Sequence, residues 1–224
     1  MTKLQSNLNH MRILRTTLLL TVTLITFGCQ SVYYDTMERM GVHKRDILVD
    51  RVEEAQDSQE EAKEQFADAL EAFQATVTVD GGELLETYEK LQKKYDLSVR
   101  SANDVRGRIT AVQKVAEALF DEWETELTEY SSDSLRRTSE QQLRKTQEEY
   151  AKLIEAMQHA ESKMSPVLTV FSDQVLFLKH NLNARAIASI KQEVDKMEED
   201  VANLIEDMNQ AIAEAEAFLK QLKE

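Results

Sequence analysis

"LLETYEKLQKKYDLSVRSANDVRGRITAVQKVAEALFDEW", residues 84–123, decides the fold. Its apolar or small residues recur in alternating steps of four and three: Leu84, Tyr88, Leu91, Tyr95, Ser98, Ala102, Val105, Ile109, Val112, Ala116, Leu119, Trp123. A strand needs a period of two, and none is sustained here. A seven-residue repeat keeps one seam of a helix facing its neighbours.

The same beat extends in both directions. Upstream it reads Leu48, Val52, Ala55, Gln59, Ala62, Phe66, Ala69, Phe73. Downstream a third series runs from Leu143 through Thr146, Tyr150, Leu153, Met157, Ala160, Met164 and Val167 to Phe171. A fourth runs from Ile187 through Ile190, Val194, Met197, Val201, Leu204, Met208, Ala211, Ala215 and Phe218 to Leu222. The expected fold is all-α: an elongated antiparallel bundle or coiled coil of about four long helices. At about 1.5 Å per residue, helices of roughly 35 to 50 residues run about 50 to 70 Å.

Breaks separate the four series. Asp80-Gly81-Gly82 tolerates positive φ and ends the first helix. "YSSDS" at residues 130–134 offers N-cap side chains for the third. "KHNLNAR" at 179–185 carries Asn181 as a C-cap and Asn183 as an N-cap. Short connections make neighbours antiparallel. Pro166 lies within the third series, where its missing donor predicts a kink or a restart capped by Ser165.

Composition agrees with long helices. The 224 residues include five Gly and one Pro, and 30% are charged. The net charge is −14, and loss of Lys3, Arg12 and Arg15 with a leader would take it to −17. Such a body repels nucleic acid, so none is expected as a partner. One cysteine excludes an internal disulfide and a multi-thiolate metal site.

That cysteine closes a leader. Arg12 to Arg15 precede "TTLLLTVTLITF" and then Gly28-Cys29. A basic flank, a short apolar run and a small residue make a secretory signal, since a comfortable span needs about 20 apolar residues. Met11 is an alternative start. The placement of Cys29 resembles a bacterial lipobox, although Thr26 and Phe27 depart from its usual residues. Cys29 is expected to be lipidated, and several acyl chains hold where one is marginal. Gln30, where Asp would favour inner-membrane retention in enteric lipoproteins, implies the outer membrane, facing the periplasm. Residues 1–28 are then a signal peptide, 29–45 an anchor and linker, and 46–224 the helical bundle. Tyr33 and Tyr34 suit a membrane interface.

Catalytic constellations are missing from the sequence. No Gly-Lys-Ser/Thr phosphate loop occurs. His10, His43, His159 and His180 do not stand in the Glu-x-x-His spacing of di-iron bundles, although Glu155 and His159 share one helical face. No cofactor, metal or catalytic residue is expected, and the chain reads as no enzyme. Arg136, Arg137, Arg144 and Lys145 are expected to make interhelical ion pairs near the anchored end, with membrane phosphate contact as the alternative. At the opposite end, "VLTVFSDQVLFL" is apolar on more than one face: either a thicker core or an exposed docking surface. Lys179, His180 and Arg185 cluster beside it as a candidate partner-binding tip.

Three stretches, "HKRDILVDRVEEAQDSQEEAKEQF", "VAEALFDEWETEL" and "DQVLFLKHNLNARAIASI", resemble the domain of unknown function 2959 family of proteobacterial lipoproteins. Its members are sometimes labelled DNA-repair ATPases, a label that the acidic body, the export signal and the lack of a phosphate loop do not support here. The family carries no catalytic residues over to this chain. The resulting expectation is an envelope lipoprotein acting as a structural or adaptor coiled coil, with its membrane contact through the lipid anchor and a protein partner in the envelope. The rival readings are a cytosolic DNA-repair-associated ATPase-like coiled coil and a metal- or ligand-binding bundle.

Overall fold

A computed structural model describes residues 41–77, 84–181 and 184–223. The chain divides into residues 1–46 and 47–224. Four helices follow in order: α1 (Lys44–Thr76), α2 (Leu84–Glu126), α3 (Asp133–His180) and α4 (Ala184–Lys223). No strand occurs among the described residues.

Pairs of interacting side chains fix the topology. Arg108 Nη1 meets Glu54 Oε2 at 2.7 Å, and Lys94 meets Asp68, so moving up α1 moves down α2. Trp123 Nε1 donates to Ser139 Oγ at 2.8 Å, and Arg106 Nε donates to Glu161 at 2.7 Å, which sets α3 antiparallel to α2. His159 faces Asp207 while Ser189 donates to Gln174, so α4 runs back along α3. Lys223 pairs with Glu53 and Gln74 donates to Glu198, returning α4 to α1. Residues 47–224 therefore form an up-down-up-down four-helix bundle.

The interior follows the heptads. All eight residues of the first series are buried, and Leu91, Val105, Ile109, Leu153, Met157, Phe171, Ile190, Met197, Leu204 and Phe218 of the others are at most 5% exposed, whereas Tyr88, Tyr95, Trp123 and Tyr150 on the same seams are only partly buried. The helices opposite each other across the bundle also touch. The Phe171 ring of α3 lies 4.9 Å from that of Phe73 and 6.3 Å from that of Phe66, both on α1. Aromatic pairs at these separations add to area burial.

Local signals are met in part. Ser132 caps α3, its side chain accepting from the Leu135 amide at 3.4 Å. Asn181 closes α3: its backbone N–H donates to Leu178 O, and its Nδ2 donates to Phe177 O at 3.0 Å. Its φ of −134° shows a C-cap made without left-handed backbone. Asp80, Gly81, Gly82 and Asn183 lie outside the described residues, as do Cys29, Tyr33 and Tyr34.

Two expectations are corrected. Of the kink or restart expected at Pro166, the restart does not occur, because α3 is continuous from Asp133 to His180. Both Pro166 and Ser162 are exposed, so the Ser162 carbonyl that Pro166 leaves without a donor can bond to water. The basic cluster is also paired differently. Arg136 meets Asp133 and Arg144 meets Glu140, each within α3 at i,i−3 or i,i−4 spacing rather than across helices.

Candidate functional site

The last turns of α3 divide sharply by face. Phe171, Val175 and Leu178 point inward and are at most 3% exposed. Leu176 and Phe177 fall off that seam and are 53% and 40% exposed. The stretch therefore does both things that its composition suggested: one face thickens the core, and the other is apolar surface. Antiparallel register brings the start of α2 to the same end, where Leu85 is 59% exposed beside buried Leu84. Leu85 was not singled out in the sequence, although a Leu next to a seam Leu points away from the core in a helix.

Charge at this end has a structural component. Lys179 and His180 occupy the last turn of α3, where the unpaired carbonyls form the negative pole of the helix. Cations there are stabilising without any partner. Arg185 is the reverse case: it lies exposed in the first turn of α4, a turn with no acidic residue, where the positive pole disfavours a cation. Lys179, His180 and Arg185 thus stand at adjoining ends of α3 and α4, and of the three only Arg185 sits at the helix pole that disfavours a cation.

Two other regions gather polar side chains. A groove between α3 and α4 is lined by Lys152, Glu155, His159, Asp207 and Glu214. His159 Nε2 lies 3.5 Å from Asp207 Oδ1 across the helices, so its partner is Asp207 rather than Glu155. The hydrogen bond from Lys152 to Glu149, 2.9 Å long, raises the Lys152 pKa. No group of three or more His, Cys, Asp or Glu among the described residues is arranged to hold a metal ion. The second region is the α2–α3 turn, where Tyr130 and Leu135 are 42% and 59% exposed beside Arg136 and Glu140.

The interior holds one polar surprise. Gln59 is 0% exposed, and no protein group hydrogen-bonds its Nε2 or its Oε1. The heptad reading had placed Gln59 on the seam, but only packing shows that nothing polar meets it.

Fold and surface define an all-helical, antiparallel four-helix bundle with an apolar and basic tip. The family described as "Protein of unknown function (DUF2959)" matches residues 33–222, and the chain belongs to that family. No curated protein matches the chain. Among the described residues, no helix is long and apolar enough to cross a membrane.

Proposed function

We propose that this chain is a lipid-anchored envelope protein of the periplasmic side of the outer membrane, acting as a structural or adaptor bundle and not as an enzyme. The anchor is Cys29, supported by the basic, apolar and small-residue order that ends in Gly28-Cys29. The observation that carries the adaptor role is the exposed Leu85, Leu176 and Phe177 at the end where Lys179, His180 and Arg185 gather. Apolar surface beyond the needs of the core marks interaction sites, and a charged rim steers encounter with a partner.

Within residues 47–224, α1 runs toward this tip, its Phe73 meeting Phe171 of α3. Metabolic labelling with an alkyne fatty acid tests the anchor: the wild type should be tagged and Cys29→Ser should not. A photo-crosslinking residue at Phe177 tests the adaptor role and should capture a discrete envelope protein in cells. Equal tagging of both chains refutes the anchor, and capture of nothing refutes the adaptor.

A further inference from the structure

The polar surprise in the core has a mechanical consequence. Register places its surroundings. On α2, Gln59 lies between the levels of Arg108, which meets Glu54, and Ser98, whose hydroxyl donates to Gln65 O. The buried residues in that interval are Ala102 and Val105. On α4 it lies between Glu216, bonded by Gln56, and Asn209, bonded by Lys63. The buried residues there are Ala211, Ile212 and Ala215. None of these side chains can donate to or accept from an amide. Gln65 Oε1, two turns further along α1, is buried without a partner as well. All the unpartnered buried side-chain atoms among the described residues belong to α1.

α1 is also the terminal helix with less to lose. In an up-down-up-down bundle α1 and α4 can each leave without threading. α1 buries five larger apolar residues, Ile47, Leu48, Val52, Phe66 and Phe73, against nine on α4, and its other buried positions include Ala55, Ala62, Ala69 and Ala72 together with Ser58, Gln59 and Thr76. Those of α4 include two alanines, Ala211 and Ala215, and no polar residue; the rest are larger, from Ile190 to Leu222. Small and polar residues forfeit little apolar burial on entering water. Gln59 and the Oε1 of Gln65 meet no protein partner inside, and both are hydrogen-bonded by water once α1 opens.

We infer that α1 is the releasable helix of this bundle: it opens from an α2–α3–α4 body that stays folded, and the buried Gln59 amide sets how often it does so. Each unmade hydrogen bond of this kind biases the opening equilibrium by between about fivefold and about 150-fold.

Native-state hydrogen exchange on the full chain tests this. Mid-helix amides of α1, residues 55–69, should exchange at least about tenfold faster than the slowest amides of α3 and α4. Gln59→Met, close to isosteric, and Gln59→Leu remove the unpaired amide. At least one of them should slow α1 exchange about fivefold or more. A single common rate across α1, α3 and α4 overturns the inference. So does exchange of α1 that is unchanged or faster in both variants.

Discussion

Reversing charge at the tip should separate docking from stability, because the two cations stand at helix poles of opposite sign. Lys179 lies in the last turn of α3. A cation there stabilises by about 0.3–1 kcal/mol, and an anion costs about the same, so Lys179→Glu should destabilise by roughly 0.6–2 kcal/mol. Arg185 lies exposed in the first turn of α4. Arg185→Glu reverses an unfavourable placement and should return roughly 0.6–2 kcal/mol, less the ~0–1 kcal/mol of any exposed interaction that Arg185 makes. Lys179→Glu should therefore be destabilising, whereas Arg185→Glu should range from about 0.4 kcal/mol destabilising to about 2 kcal/mol stabilising. Thermal midpoints shift by about 2–4 °C per kcal/mol for a chain of this size, so Lys179→Glu should melt roughly 1–8 °C lower and the double variant close to the wild type. In cells, the double variant should lose the adduct formed by a photo-crosslinking residue at Phe177, since charge steers the encounter. If Arg185→Glu lowers the midpoint as much as Lys179→Glu does, the pole argument is wrong. If the double variant keeps every adduct, the docking surface lies elsewhere on the bundle.

The core and the tip should respond differently to truncation. Phe171→Ala removes a fully buried ring that joins Phe66 and Phe73 across the bundle, and urea unfolding should show a loss of about 3–5 kcal/mol. Phe177→Ala, six residues along the same helix but 40% exposed, should stay within about 0.5 kcal/mol. Acid should act partly through Glu54. The hydrogen bond from Arg51, and the charges of Arg51 and Arg108, hold its carboxyl below the ordinary value of 4.5. A carboxylate depressed in the folded state contributes stability above its unfolded value, and that contribution is lost as pH falls through the folded one. Glu54→Gln should therefore lower the urea midpoint at pH 7 and narrow its gap from the wild type below pH 4.5; a gap independent of pH would refute the assignment. The effect should be small, because the side chain is 38% exposed and solvent screens the pairs.

The sequence by itself determined the helices, their seams and most of their ends. A heptad is a relation between residues three and four apart, and such residues share a face whatever surrounds them. Leu91, Val105 and Phe171 could thus be placed inside before any neighbour was known, and Ser132 and Asn181 were legible as caps because capping bonds stay within one turn. Tertiary structure decided everything that depends on which helix stands opposite. His159 meets Asp207 rather than Glu155 because α4 passes it at that level. Pro166 is tolerated within α3 because it faces outward, where water can take the place of its missing donor. Leu85 becomes part of a surface because α2 begins level with the last turns of α3. Gln59 sat visibly on the seam, yet its unmet hydrogen bonds follow from alanines contributed by α2 and α4, more than 40 residues away in α2 and more than 150 in α4. Spacing along one helix reports a side chain's direction; only the packed bundle supplies its partner, or withholds one.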